Sequence, residues 1–294
     1  MKIHIARHHG MCFGVRDALR KTHETASRGP VTVLGQLVHN PVVSAHLRTL
    51  GVQEGRLDEP GTASTPTVVI TAHGAADRHR EAWKNKGAQV VDTTCPLVRK
   101  AHSALATLVT AGYAPVVIGK KGHVEVRGLT GDFPDAVIVE DEADLEALPA
   151  ARKIGVVSQT TQPFLRVNYF VTQIKRLRPF SEVRWIDTVC QPTKDRQSAL
   201  EDLCAVAEVV IVVGGRNSNN TRELVETSRD LGCVAHHVEG PEDVDPAWLA
   251  GVEHVGVTAG TSTLDETVQA VVERLKLLSA EARQPRHGLL RTFA

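Results

Sequence analysis

The chain has 294 residues, long for a single core and suited to two or three small domains. Hydrophobic residues make up 42% and charged residues 23%, and Lys+Arg and Asp+Glu balance at 34 each, which gives no footprint for nucleic acid or an anionic membrane. No run approaches the roughly 20 apolar residues of a membrane span, and the start, MKIHIARHHGMC, lacks the apolar stretch of a secretion signal. A cytoplasmic setting is expected, where five widely spaced cysteines point to metal binding or catalysis rather than disulfides.

In chain order, a short strand in KIHIARHHGMC leads to Cys12. CFGVRDALRKTHETA then has the apolar spacing of an amphipathic helix. VTVLG follows, a buried parallel strand closed by Gly35, and opens into the polar loop QLVHN with His39. A second strand, VVITAHG, ends around His73, and a lead-in strand, QVVDTTC, reaches Cys95. The order then restarts. CPLVRKAHSALATLV is a helix, PVVIG a strand to Gly119, KKGHVEV a loop with His123 and Glu125, IGVVSQTT a strand ending around Thr160, and VRWIDTVC the lead-in to Cys190. On the third pass CQPTKDRQSALEDLCAVA is a helix, VIVVG a strand to Gly214, GRNSNN a loop, TRELVETSRDLG a helix and VGVTAGTS a strand ending around Ser262.

The spacing from cysteine to glycine is 23, 24 and 24 residues, and a basic residue (Arg16, Arg99, Lys194) stands four places after each cysteine. This is an internal repeat of one α/β unit. It divides the chain into units at 13–94, 95–189 and 190–280, with a tail at 281–294. No fourth lead-in strand follows the third unit, so the N-terminal strand, residues 1–11, is expected to complete its sheet. The predicted fold class is α/β: three similar parallel-sheet units in a pseudo-threefold, three-lobed arrangement around a central point where the three cysteines meet.

The repeat carries the chemistry. Ligands of parallel α/β sheets bind beyond the carboxyl ends of the strands, and Cys12, Cys95 and Cys190 all stand there. Three cysteines buried by chance is the bland alternative, and their equivalent positions argue against it. Three converging thiolates suit a metal or a cluster; a four-iron cluster normally takes four cysteines, so three leave one iron open. Cys204 and Cys233 have no repeat equivalent and read as core. His39, His73 and His123 sit in strand-end loops, where imidazoles can bind phosphate oxygens or move protons. Glu125 lies two residues after His123, so in an extended segment both side chains face the cavity. A carboxyl beside an anion makes sense mainly as a proton carrier; the alternative is a solvated loop glutamate. Ser218, Asn219 and Asn220 in NSNN and Ser262 in GTST offer a phosphate cradle at helix N-termini, with ordinary turn and capping chemistry as the alternative.

Taken together and in order, GMCFGV, VHN, TAHG, DTTCPLV, GHVEV, SQTT, DTVC with a following RQ, NSNN and AGTST resemble the 4-hydroxy-3-methylbut-2-enyl diphosphate reductase (LytB/IspH) family, from Cys12 to about Leu275. The resemblance implies one [4Fe–4S] cluster on Cys12, Cys95 and Cys190. It implies diphosphate binding by His39, His73, His123, Ser218, Asn220 and Ser262, an essential acid at Glu125 and a substrate-contacting Thr160. Asn219 stands where many members carry serine and remains a candidate contact. Leu264 replaces a common proline, Cys190 is followed by Gln-Pro-Thr, and GQLVHN varies the usual approach to VHN. The implied reaction is reductive dehydration to isopentenyl and dimethylallyl diphosphate, the last step of the methylerythritol phosphate route. Neither a flavin nor a nicotinamide motif is visible, so an external ferredoxin- or flavodoxin-type protein is the expected electron donor. Other readings of three repeats with three cysteines are a cluster enzyme of the quinolinate-synthase type, a cluster redox sensor and a structural zinc protein.

Overall fold

The computed structural model describes residues 1–283. Three four-stranded sheets, parallel throughout, are built from the same plan. In the first lobe β2 (Val31–Leu34), β3 (Gln53–Gly55), β4 (Thr67–Ile70) and β5 (Gln89–Asp92) lie in the order β3-β2-β4-β5. In the second, β6 (Ala114–Ile118), β7 (Val137–Val139), β8 (Lys153–Ser158) and β9 (Glu182–Trp185) lie in the order β7-β6-β8-β9. The third places β10 (Val209–Val213), β11 (Val234–Val238) and β12 (His254–Ala259) in the order β11-β10-β12, and its last position is filled by β1 (Lys2–Ile5), paired to β12 from Lys2↔His254 to Ile5↔Val257. The strand that leads into Cys12 thus occupies in the third lobe the place that β5 and β9 hold before Cys95 and Cys190.

The apolar runs explain the central strands. All residues of β2 and β10 are buried, because helices cover both faces of each sheet. Alternate residues feed opposite cores. Val209, Ile211 and Val213 pack on one side with Val268, Val271 and Leu275 of α9 (Asp265–Arg283). Val210 and Val212 pack on the other with Leu200 and Leu203 of α7 (Gln191–Cys204) and Leu224 of α8 (Asn219–Asp230). Each such side chain contributes about 1.5–3 kcal/mol by leaving water. Cys233 is buried in this second cluster and Cys204 packs against it.

The outer strands β3, β7 and β11 have no counterpart in the sequence reading. They are three to five residues long, and β3 (QEG) is largely exposed, so they carry no apolar periodicity. They are positioned by the glycines that end the central strands: Gly35, Gly119 and Gly214 each donate their N–H, at 2.9 Å, to Gly55, Val139 and Val238 at the ends of the outer strands. The first residues of the expected tail at 281–294 are helical, since α9 runs on to Arg283; the remainder, 284–294, lies outside the described residues. Among the described residues no helix is long and apolar enough to cross a membrane.

Candidate active site

Each cysteine is the N-cap of a helix: Cys12 of α1 (Phe13–Ala26), Cys95 of α4 (Pro96–Thr110) and Cys190 of α7. In each, the carbonyl accepts the N–H four residues on, from Arg16, Arg99 and Lys194. In each, the N–H donates to the carbonyl two residues beyond a central strand, β12, β4 or β8: Cys12 to Thr261 (3.0 Å), Cys95 to Ala72 (3.0 Å), Cys190 to Thr160 (2.9 Å). The backbone of the three positions is therefore superposable in its bonding, and each of the three cysteines stands at the positive end of a helix dipole.

A second set of helix N-termini faces the same space. Asn40 caps α2 (Pro41–Thr49), accepting from Val42 and Val43 N–H; His123 caps α5 (Val124–Thr130); Ser218 caps α8, accepting from Thr221 N–H. The loop before α9 ties the loop before α2 to the first turn of α8. Asn40 Nδ2 donates to the Ser262 carbonyl (2.6 Å), Ser262 Oγ to the His39 carbonyl (3.2 Å), and Thr261 N–H to Asn220 Oδ1 (3.0 Å).

One cavity is lined by Cys12, Cys95, Cys190, His39, His73, His123, Glu125, Thr160, Ser218, Asn219, Asn220 and Ser262 together, so all the residues singled out in the sequence meet. Thr161, Thr261 and the apolar Val15, Val38, Leu97 and Val98 complete the wall; their residue types gave no signal by themselves. A roomier cleft of about 750 Å³ opens between the first two lobes beside Arg56, Arg78 and Arg127, but it contains no thiol and none of these residues.

The three imidazoles form a cluster, with ring centroids 4.4 Å (His39–His73), 5.5 Å (His39–His123) and 5.8 Å (His73–His123) apart. Burial lowers the pKa of all three. His73 is held well below the ordinary value, with its two neighbours adding like charge, and His123 falls to about 3. His123 Nδ1 accepts the Glu125 N–H (3.1 Å), so its proton sits on Nε2. Among the described residues His73 Nδ1 and Asn219 Nδ2 are buried without a partner. Unpaired polar atoms of this kind are costly and mark a wall built for a polar ligand; an anion there would raise the histidines again.

Glu125 is not in an extended segment. It lies in the first turn of α5, and it is the helical turn, with His123 as cap, that places both residues on the cavity. The carboxyl is 2% exposed, and its Oε1 accepts the Thr160 N–H at 2.6 Å. Burial raises its pKa to about 7, against the opposing hydrogen bonds from Thr160. A carboxyl so placed carries a proton near neutrality, as a general acid must.

The donor set also decides what the thiol ring fits. Three sulfur donors suit a soft metal centre. Among the described residues no three His, Cys, Asp or Glu side chains close on a point as ligands of a single ion do. Three thiols from three separate helix caps around one cavity, not closed on a point, fit a multi-iron group better than one zinc. Burial pushes the Cys190 thiol up to about 11 and raises Cys95 as well, so loading such a group releases protons.

The chain matches the family model described as LytB protein over residues 3–276. It is 37% identical over 283 residues to the 4-hydroxy-3-methylbut-2-enyl diphosphate reductase of Geobacter sp. (strain M21), covering 96% of this chain and 99% of that one. It is 38% identical over 287 residues to the protein of that name from Symbiobacterium thermophilum, covering 94% and 97%. Among solved structures, the E-1-hydroxy-2-methyl-but-2-enyl-4-diphosphate reductase from Plasmodium falciparum superposes with a TM-score of 0.87 at 29% identity, over 93% of this chain and 87% of that one. A second, described as (E)-4-hydroxy-3-methyl-but-2-enyl diphosphate reductase, the terminal enzyme of the non-mevalonate pathway, gives 0.67 at 34% identity, over 94% and 100%. With the repeat, the thiol ring and the histidine cluster in place, and with a family model spanning nearly its whole length, the chain belongs to the LytB protein family.

Proposed function

We infer that the chain is a 4-hydroxy-3-methylbut-2-enyl diphosphate reductase. The observation that carries this reading is one cavity that brings together two unlike sets of groups: three thiols at equivalent helix caps, and a buried, protonatable Glu125 beside three neutral histidines. The net reaction takes two electrons and two protons, expels the allylic hydroxyl as water and yields isopentenyl or dimethylallyl diphosphate. When bound to Cys12, Cys95 and Cys190, a [4Fe–4S] cluster supplies the electrons, received from a ferredoxin- or flavodoxin-type protein in the cytoplasm.

The chain's own residues supply binding, orientation and protons. The diphosphate is assigned to His39, His73 and His123 with Ser218, Asn219, Asn220 and Ser262, whose orphaned nitrogens would gain anionic partners. Thr160, fixed by its bond to Glu125, orients the substrate hydroxyl. Glu125 delivers the proton with which that hydroxyl leaves, and the apolar Val15, Val38, Leu97 and Val98 keep bulk water from the allyl group.

The test is anaerobic turnover with a reduced dye, alongside a Mössbauer spectrum with and without the diphosphate substrate. The expected result is diphosphate-dependent oxidation of the dye and one distinct iron site that changes on substrate addition. A reconstituted protein with no broad visible absorbance, or one whose iron spectrum ignores the substrate, would overturn the reading.

A further inference from the structure

Arg196, in the second turn of α7 behind Cys190, is a buried cation that no carboxylate contacts among the described residues. The residue is 6% exposed. Its Nη1 donates to the Pro192 carbonyl (2.8 Å) and its Nη2 to the Gly10 carbonyl, while Nε is buried with no partner. Among the described residues none of these nitrogens reaches an acidic side chain. A guanidinium keeps its charge in a protein, and a buried charge with no opposite partner is strongly destabilising. Burial works against its charge; the groups that favour it are the thiols of Cys12 and Cys190 and then the adjacent Asp195, and both carbonyls it holds, Gly10 and Pro192, lie two residues from one of those cysteines. Gly10 belongs to the segment that carries Cys12, so the same side chain also straps that segment to the helix capped by Cys190.

We propose that Arg196 is the internal counter-charge of the thiolate-ligated group, matching its negative charge and favouring its reduced state while it holds the Cys12 segment against the Cys190 helix. The proposal rests on the reading of the three cysteines as cluster ligands. Three thiolates on a [4Fe–4S]²⁺ core carry a net charge of −1, and one-electron reduction takes it to −2. A fixed positive charge at the back of two of the ligands lowers the energy of both forms and of the second more, because net charge and its surroundings set a cluster's potential. Arg196 is therefore a positioning residue. It lies outside the diphosphate-binding wall, so it acts on electron uptake rather than on substrate affinity.

The test uses Arg196→Met and Arg196→Gln, which are neutral, and Arg196→Lys, which keeps the charge. Each is purified anaerobically and reconstituted, and iron, sulfide and the midpoint potential are measured by dye-mediated titration. Arg196→Lys should hold iron and titrate near the parent. The neutral variants that hold iron should take up the electron with an equilibrium constant at least tenfold lower, a shift of 59 mV for a one-electron couple. The substrate KM should hold while kcat falls. If the neutral variants cannot hold iron but Arg196→Lys can, the need for charge appears in loading instead, and the proposal stands. Iron-loaded neutral variants at the parent potential overturn it, and so does loss of iron in all three variants, which would mean that shape alone matters. A parent chain that takes up no cluster is a different failure, of the functional reading itself.

Discussion

The two walls of the cavity differ in symmetry. On the thiol wall the three lobes repeat one another to the level of single hydrogen bonds: each cysteine caps a helix and gives its N–H to the residue two beyond a central strand. On the wall built from the loops before α2, α5 and α8 the three lobes have diverged. The first lobe supplies His39 and Asn40, the second His123 and Glu125, the third Ser218, Asn219 and Asn220. The backbone plan is kept on both walls, with a helix N-terminus in every lobe, and only the side chains part company. A repeated wall offers three equal ligands and suits a symmetric inorganic group. A diverged wall can tell one end of a small asymmetric substrate from the other, which three identical loops could not.

Breaking the repeated wall should have the largest effect. Cys12→Ser, Cys95→Ser and Cys190→Ser should each abolish stable iron binding, since a hard hydroxyl replaces a soft thiolate, whereas Cys204→Ser and Cys233→Ser should leave iron and sulfide unchanged. If the ring is symmetric in function as well as in geometry, the three active variants should fail alike in anaerobic iron and sulfide analysis.

On the diverged wall Glu125→Gln should slow turnover by roughly 10²–10⁴-fold, the usual worth of a positioned general acid, with an intact cluster and nearly normal substrate titration. The sign of the pH dependence follows from the raised pKa: the acid form dominates below about 7 and is lost above it. The rate of the parent should therefore fall as pH rises through that value, and this limb should vanish in Glu125→Gln. Near-normal turnover in the variant would remove Glu125 from the proton path.

Asn219→Ala tests the cradle at a residue with a buried, unpartnered donor. Losing a hydrogen bond to a charged group costs about 1.5–3 kcal/mol, so KM for the diphosphate should rise by roughly one to two orders of magnitude. An unchanged KM would show that this nitrogen meets no substrate oxygen.

The smallest effect expected returns to the thiol wall. A Cβ at Gly14, in the first turn of α1, would lie 2.4 Å from Cys95 Sγ and 3.1 Å from its Cβ. Gly14→Ala should cost about 1–3 kcal/mol of overpacking and speed iron loss to a chelator by displacing one of the three ligands. Thermal melting with and without the cluster separates the two effects; chelation at the parent rate would mean that Cys95 adapts freely.

Much of this arrangement was legible in the chain because repetition is a one-dimensional signal. Cys12, Cys95 and Cys190 recur at nearly constant distance from glycines that close apolar runs, and a strand end followed by a helix start defines where such residues must stand. The convergence of the histidine, asparagine and serine loops follows from the same logic. What the chain hid was local conformation and depth. GHVEV reads as extended, yet His123 caps a short helix and Glu125 sits within it, because its apolar Val126 and Leu129 are drawn into the second lobe's core. Gln53–Gly55 has no strand pattern and becomes one by docking on β2.

The sequence by itself determined the α/β repeat, the thiol set and the order of the loops, since periodicity and strand-end position depend only on neighbours along the chain. The place of the N-terminal strand in the third sheet was legible as well; only the tertiary structure decided that Glu125 is buried against Thr160 and holds a proton near neutrality, and that Arg196 is buried with no carboxylate in hydrogen-bonding reach among the described residues. Burial and charge pairing are properties of the whole folded chain, and a residue's letter carries neither.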